Sequence, residues 1–419
     1  LAAPRVFLES LGCKLNQAER DELFQQFAKA GCRMVTSIDD ADIYILNTCT
    51  VTHIADRKSR HLLRMAHRKN PDTLLVATGC YAQRESQELA KIDGVRFTFG
   101  NKDKASILRV LADHGFIDQP VHAHPVESHN GFRTRAMIKI QDGCSNFCTY
   151  CIVPLVRGGE KSRTVQEVVD SVNERVAAGY REIVLTGVRI GSYYSNGVDL
   201  CGLLERILGE TSVERLRLSS LQPGEISTRL IALWQNERLC PHFHLCLQSG
   251  SDQILRMMGR RYSTADFEQT VSSIRQKLPD VAITTDVMVG FPGESDEHFE
   301  ESYRFCRRMG FSRMHVFSYS PRNDTEASRY LGQVGDSVKK ERADRMLKLA
   351  KDESLAFMRR FLGRTVQVLF ERISRRLWTG LTPNYIRVYV DSKSDIANCL
   401  RTVKLVSPYR DGVWGEVIK

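Results

Sequence analysis

Met137-Ile138-Lys139-Ile140-Gln141-Asp142-Gly143-Cys144-Ser145-Asn146-Phe147-Cys148-Thr149-Tyr150-Cys151 is the stretch on which the reading of this chain turns. Met137 to Ile140 alternates as a strand does, and its C-terminal end delivers three thiols within eight residues into a loop. Thiolates this close share one soft metal centre. Structural zinc wants a fourth Cys or His, and the nearest histidines, His129 and His242, lie outside the loop. A cubane iron-sulfur cluster also takes four ligands, so three cysteines leave one iron open to something other than protein. An open iron is a place for chemistry.

Upstream, the chain repeats one unit of short apolar strand, turn and amphipathic helix. Strands are expected at Val6 to Leu11, Ile43 to Leu46, Leu74 to Ala77 and Phe97 to Phe99. Helices are expected near Gln17 to Ala30, Ile54 to Lys69, Gln83 to Ile92 and Lys104 to His114. Such alternation makes a doubly wound parallel sheet, with ligands at the carboxyl ends of the strands. Cys13, Cys49 and Cys80 each follow one of the first three strands. If those ends share an edge, the three thiols make a second three-thiolate site; the alternative is that small apolar cysteines simply pack there. Ile117 to Asn130, with Pro120, Pro125 and histidines 122, 124 and 129, breaks the periodicity and reads as a linker.

Downstream of the linker the alternation returns six times. Strands are expected near Ala136 to Ile140, Ile183 to Leu185, Leu216 to Leu218, Phe243 to Leu247, Ile283 to Val289 and Met314 to Phe317. Six units are too few for an eight-unit barrel, so a partial (βα)6 barrel is expected, with site residues at strand C-termini. That edge carries the Cys loop, Thr186-Gly187-Val188-Arg189, Ser219-Ser220, Gln248-Ser249-Gly250, Thr285-Asp286 and Ser318-Tyr319-Ser320. After a long helix near Asp336 to Phe361, the segment from Arg364 to Lys419 is rich in β-branched and aromatic residues and reads as a small five-stranded β-barrel. The expected architecture is therefore α/β, in three domains: a doubly wound sheet over 1–117, a partial barrel over 131–362 and a small β-barrel over 363–419.

Composition fits this. The 419 residues suit about two to four domains. With 42% apolar and 26% charged residues, and no apolar run near the ~18 residues of a membrane span, a soluble cytoplasmic chain without a membrane segment is expected. Twelve cysteines spread through so long a chain favour a reducing compartment and metal ligation over disulfides. The net charge of +10 is uneven: Arg57 to Lys69 holds six Lys or Arg, two His and no acid, and Arg364 to Lys419 holds ten Lys or Arg against five acids. Clustered positive charge implies an anionic partner such as nucleic acid, against the alternative of a solvated face. Arg57, Arg60, Arg64 and Arg68 recur at helical spacing as a basic stripe. Trp378, Tyr385, Tyr389 and Trp414 among basic residues suit stacking on single-stranded RNA, or else core packing. Arg260 and Arg261, after Met257-Met258-Gly259, either reach an anion or form a surface turn.

Over essentially its whole length the chain resembles the radical S-adenosylmethionine (SAM) methylthiotransferases. The resemblance rests on the C-x3-C-x2-C loop, the second cysteine trio, the terminal barrel, and several stretches. These are Leu11-Gly12-Cys13-Lys14-Leu15-Asn16-Gln17-Ala18-Glu19, Asn47-Thr48-Cys49-Thr50-Val51-Thr52, Gln141-Asp142-Gly143-Cys144, Leu247-Gln248-Ser249-Gly250-Ser251-Asp252 and Gly290-Phe291-Pro292-Gly293-Glu294. They are most similar to the branch acting on threonylcarbamoyl-adenosine in tRNA. The resemblance implies that Cys144, Cys148 and Cys151 hold a SAM-cleaving 4Fe-4S cluster and that Cys13, Cys49 and Cys80 hold an auxiliary 4Fe-4S cluster. It implies a methylthio group replacing the C2 hydrogen of adenosine next to the anticodon, with two SAM molecules per turnover. No side chain is then catalytic, because clusters and SAM carry the radical chemistry. Tyr150, Thr186, Gly187, Ser220 and Gln248 are the expected SAM contacts; Arg57, Arg60, Arg64, Arg68 and Tyr385 are the expected RNA contacts. Expected partners are a tRNA anticodon stem-loop and an electron donor such as flavodoxin or ferredoxin, with the chain a monomer. Isopentenyl-adenosine in tRNA, or an aspartate of a small-subunit ribosomal protein, is the alternative substrate; a non-catalytic RNA-binding iron-sulfur protein is the alternative class. Cysteines 32, 201, 240, 246, 306 and 399 have no ligand spacing and are expected to pack.

Overall fold

The computed structural model describes residues 3–117 and 134–418. Most of the expected linker, with histidines 122, 124 and 129, lies outside the described residues. The chain divides into two compact units, the first joining the N-terminal residues with Asp142–Asn146 and Cys151–Lys161, the second holding the rest.

In the first unit five parallel strands run in the order β2-β1-β3-β4-β5, with β1 at Arg5–Ser10, β2 at Arg33–Val35, β3 at Ile43–Thr48, β4 at Leu74–Gly79 and β5 at Val95–Phe99. Central strands β3 and β4 are buried along their whole length, as parallel strands covered on both faces must be. Alternate residues feed two cores. Ile43, Ile45 and Val76 meet Leu23 and Phe27 of α1 (Lys14–Lys29) on one face, while Tyr44, Leu46 and Ala77 meet Leu63 and Ala66 of α2 (His53–Lys69) on the other. Thr52 caps α2 by accepting from the Ala55 amide, and His67, Arg68 and Lys69 complement its C-terminal dipole. Edge strand β2 was not expected; three residues are too few for apolar alternation to register. The helix expected from Gln83 to Ile92 is two short ones, α3 (Cys80–Arg84) and α4 (Ser86–Ala90): α3 starts directly after the turn at Gly79 (φ +98°), and the helix breaks at Glu85, whose backbone is non-helical (φ −135°, ψ 49°).

The second unit contains the six expected parallel strands in sequential order. Arg135–Lys139, Glu182–Thr186 and Arg215–Leu218 form one sheet; Ser220–Leu221, His242–Leu245, Ala282–Val289 and Arg313–Ser318 form the next. The chain passes from one sheet to the other through Ser219. Helices Val165–Ala177, Leu200–Glu210, Thr264–Lys277 and Asp296–Met309 enclose a large apolar core on the outer face. Strands Thr365–Ser374, Leu377–Leu381, Arg387–Val390, Leu400–Tyr409 and Gly412–Val417 close into the expected five-stranded barrel.

That barrel is joined to the six strands by buried ions. Glu182 and Arg217, both without exposed side-chain surface, pair at 2.8 Å. Arg217 also donates to the Pro383 carbonyl (3.0 Å), and Arg215 to those of Leu381 (3.0 Å) and Gln367 (2.8 Å). One carboxylate among several guanidiniums needs these carbonyl acceptors, since an unsatisfied buried charge is costly.

Candidate functional site

In a parallel sheet of order 2-1-3-4-5 the ligand crevice opens between the C-terminal ends of β1 and β3, where the connections diverge to opposite faces. Cys13, directly beyond β1, is the N-cap of α1; Cys49 follows β3; Cys80, after β4, opens α3. Gly12 has φ +93°, and a Cβ there would fall 2.7 Å from both the Cβ and Sγ of Cys49. The missing side chain is thus what admits Cys49. Burial pushes the Cys49 thiol up to about 12, and the charges of neighbouring Cys13 and Cys80 add to it. A thiol that resists ionising on its own becomes a good donor once a cation lies beside it. Thiols are donors of the kind an iron-sulfur cluster takes.

Beside the thiols is a buried ionic network. Glu19 takes Lys104 Nζ at 2.5 Å and Arg157 Nη1 at 2.9 Å. Arg157 also reaches Asp142 (2.9 Å) and Asn16 Oδ1 (2.7 Å), and Lys104 reaches Asn47 Oδ1 (3.2 Å) and Asn101 Oδ1 (3.1 Å). Asn101 in turn donates to Cys80 Sγ at 3.5 Å and to the Val156 carbonyl at 2.9 Å. Burial opposes the Arg157 charge, but Cys80, Glu19 and Asp142 hold the guanidinium protonated well above its ordinary value. Lys104 and Arg157 are balanced by Glu19 and Asp142, and within this network Arg157 is the cation whose charge bears on both Cys13 and Cys80. Asn16 and Glu19 lie within a quoted motif, whereas Lys104 and Arg157 carried no sequence signal.

The C-x3-C-x2-C loop is fixed by its own backbone. Cys144 N donates to the Gly158 carbonyl (3.0 Å), and a Cβ on Gly143 (φ +70°) would meet the Gly159 oxygen at 2.0 Å. In the second unit Thr149 N and Oγ1 bond the carbonyls of Met258 (3.1 Å) and Met257 (2.9 Å), and Tyr150 packs edge-on to Phe291. Arg260, for which sequence left an anion contact and a surface turn both open, donates to Cys148 Sγ at 3.4 Å and to the Cys246 carbonyl at 3.4 Å. Burial works against its charge, but Tyr150, Tyr262 and Cys148 more than compensate.

Of the expected SAM contacts, Thr186 ends its strand buried, and Gly187 lies so close to Gln141 that a Cβ would stand 2.7 Å from its carbonyl oxygen. Ser220 pairs in register with His244. Gln248 is a non-glycine residue at φ +71°, held by backbone bonds to Asp286 (2.9 Å) and Met288 (2.8 Å), with its buried Oε1 lacking a hydrogen bond. Strain of this kind, kept by its surroundings, marks functional positions. Sequence reasoning placed Asp286 on this edge but missed its partners: Asp286 pairs with His244 Nε2 and His315 Nδ1, each at 3.2 Å. Cys246, expected only to pack, stands 4.0 Å from the same carboxylate.

On α2, Arg57, Arg64 and Arg68 are exposed, with His61 between them on the same face. Arg60 turns aside, to Tyr81 Oη and Glu88. The basic stripe is thus Arg57-His61-Arg64-Arg68. Tyr385, half-buried at φ +70°, stacks on His242 (4.8 Å) and lies under Arg217 (4.7 Å) and Arg135 (5.6 Å). Trp378 and Tyr389 are buried, and Trp414 packs on Tyr409.

Residues 5–100 match the model of a family described as "Uncharacterized protein family UPF0004", and residues 138–306 match the radical SAM superfamily. A threonylcarbamoyladenosine tRNA methylthiotransferase MtaB of Bacillus subtilis is 35% identical over 99% of this chain and 97% of its own. Its namesake in Aquifex aeolicus is 36% identical over 95% and 100%. A tRNA-2-methylthio-N(6)-dimethylallyladenosine synthase of Endomicrobium trichonymphae is 32% identical over 98% and 99%. Among solved structures, the radical SAM methyltransferase TsrM of Kitasatospora setae superposes with a TM-score of 0.58 at 14% identity, covering 78% of this chain and 77% of that one, a likeness of fold.

Proposed function

The chain belongs to the radical SAM methylthiotransferase family, and from that premise we propose that it transfers a methylthio group to C2 of N6-threonylcarbamoyladenosine in tRNA, next to the anticodon. The observation that supports the proposal is that Cys13, Cys49 and Cys80 each follow the C-terminal end of one of the neighbouring parallel strands β1, β3 and β4, in a chain that also bears the C-x3-C-x2-C loop. Either thiol trio alone fits a metalloprotein; two trios, each one ligand short of a cubane, fit a reaction that needs two open irons.

In this reading Cys144, Cys148 and Cys151 ligate one 4Fe-4S cluster and Cys13, Cys49 and Cys80 the other, over domains 131–362 and 1–117, with 363–419 for RNA. When bound, these groups and SAM supply the 5′-deoxyadenosyl radical and the sulfur that side chains cannot. The protein's own part is positional. Gly12 makes room for Cys49, and Lys104 and Arg157 offset thiolate charge. Arg260 donates to the Cys148 sulfur, a contact that lowers its electron density. Thr186, Gly187, Ser220 and Gln248 form the polar strand ends against which SAM is oriented, together with Tyr150. Arg57, Arg64 and Arg68 meet tRNA phosphates, and a low-potential donor such as flavodoxin or ferredoxin supplies electrons to a monomer.

Two of the relatives carry threonylcarbamoyladenosine in their names at 35% and 36% identity and the third dimethylallyladenosine at 32%, so the second substrate is the alternative. The test is anaerobic reconstitution with iron, sulfide and reductant, followed by mass spectrometry of nucleosides from an anticodon stem-loop. A methylthio product on threonylcarbamoyladenosine supports the proposal; product only on the dimethylallyl RNA overturns the substrate, and no 5′-deoxyadenosine from cluster-replete protein overturns the enzyme.

A further inference from the structure

One polar constellation of the second unit has no part in holding a cluster. Along strands His242–Leu245, Ala282–Val289 and Arg313–Ser318, the residues Phe243, Leu245, Ile283, Val287, Val289 and Met314 enter the outer apolar core. Strand alternation puts His244, Asp286 and His315 on the opposite, inner face. There the Asp286 carboxylate spans two imidazoles, His244 Nε2 on one oxygen and His315 Nδ1 on the other. His244 is committed at both nitrogens, since its Nδ1 meets Thr284 Oγ1 at 2.9 Å. His315 is not. Its side chain is 52% exposed, and Nε2 is its remaining polar atom.

This inner face is tied to the cysteine loop through contacts within the same unit. Cys148 Sγ accepts from Arg260, Arg260 also donates to the Cys246 carbonyl, and Cys246 Sγ lies 4.0 Å from Asp286. An exposed imidazole, fixed in orientation by a carboxylate, therefore stands a few side chains from the loop assigned above to SAM cleavage. The Asp286 bond fixes which ring nitrogen is left for a ligand.

We infer that His315, oriented by Asp286, reads the N6 arm of the acceptor adenosine: with Nδ1–H donating to Asp286, its Nε2 accepts a hydrogen bond from the hydroxyl of a threonylcarbamoyl group. The inference rests on the proposed function and deepens it. A dimethylallyl arm offers no hydrogen-bonding atom, so docking it against this dyad would leave a polar group unpaired; sites built to bond a polar substituent reject analogues that lack it. His315 is thus a specificity residue, and Asp286 a positioning residue.

The test uses the cluster-loaded full chain with SAM and measures the affinity for three anticodon stem-loops, bearing threonylcarbamoyladenosine, dimethylallyladenosine or plain adenosine. The wild type should prefer the first. His315→Phe should shrink that preference by about 10- to 100-fold while iron content and circular dichroism stay as in the wild type. Asp286→Asn should fall between the two. Should His315→Phe fold poorly, His315→Gln keeps a hydrogen-bonding end and should restore part of the preference. An unchanged preference, or an equal loss on all three RNAs, overturns the inference while a threonylcarbamoyl product from the wild type keeps the function. A wild type that modifies only the dimethylallyl RNA removes both. Because His244, Cys246 and Asp286 present donor atoms within 4.8 Å of one another, stoichiometric zinc lost on His244→Ala would also overturn it.

Discussion

The two thiol trios are built in opposite ways. Cys144, Cys148 and Cys151 come from one loop, and their spacing is written in consecutive residues. Cys13, Cys49 and Cys80 come from three strand ends of one sheet and share an edge only because β1, β3 and β4 are parallel neighbours. A local set can be assembled by a loop before the fold around it is complete. A distributed set cannot; it inherits its geometry from the sheet and from the buried Glu19, Lys104 and Arg157 network beside it. The lesson is that the distributed trio should be sensitive to mutations that touch no ligand.

The largest effect expected is from the ligands. Cys49→Ala should abolish the methylthio product and lower bound iron from about eight to about four per chain, while 5′-deoxyadenosine still forms. Cys148→Ala should abolish both. Iron analysis with product assays checks this, and identical phenotypes would erase the distinction between the trios. Glu19→Ala comes next: it leaves buried Lys104 without its carboxylate and Arg157 with Asp142 alone, at a cost of about 3–5 kcal/mol in urea denaturation, and should deplete the first trio's iron alone. The matched glycines sharpen the contrast. Gly143→Ala meets a backbone oxygen at 2.0 Å that cannot move aside, and Gly12→Ala meets the Cys49 side chain at 2.7 Å; both also carry left-handed strain of about 1–3 kcal/mol. Each should impair iron loading at its own trio, Gly143 the more severely. The smallest effect is on the surface. Arg57→Glu or Arg64→Glu should weaken tRNA binding and change the salt slope by about 0.9 per lost contact, whereas Arg60→Glu, already tied to Tyr81 and Glu88, should act more on stability than on the slope.

The strand-helix alternation made most of the fold legible, because apolar runs of five or six residues between turns leave few other solutions. Edge strand Arg33–Val35 was too short to register, and the helix expected over Gln83 to Ile92 breaks at Glu85, whose backbone leaves the helical region. At the site, cysteine spacing revealed the loop trio and suggested the other. Arg157, Lys104 and the His244-Asp286-His315 group stayed hidden, since a lone basic or imidazole residue carries no signature until its partners are brought beside it. The packing of Tyr385 was hidden for the same reason: an aromatic in a basic segment gives no sign that His242 and Arg217 lie against its ring.

By itself the sequence determined the order of elements, the three-strand recurrence of cysteines and the loop chemistry, because these depend on residues close together along the chain. Only the tertiary structure decided that Gly12 opens space for Cys49, that two buried cations stand beside the thiols, and that Asp286 aims His315 along the inner face of the second unit. Those are contacts between residues far apart in sequence, and their geometry is set by strand register and burial, which no local pattern encodes.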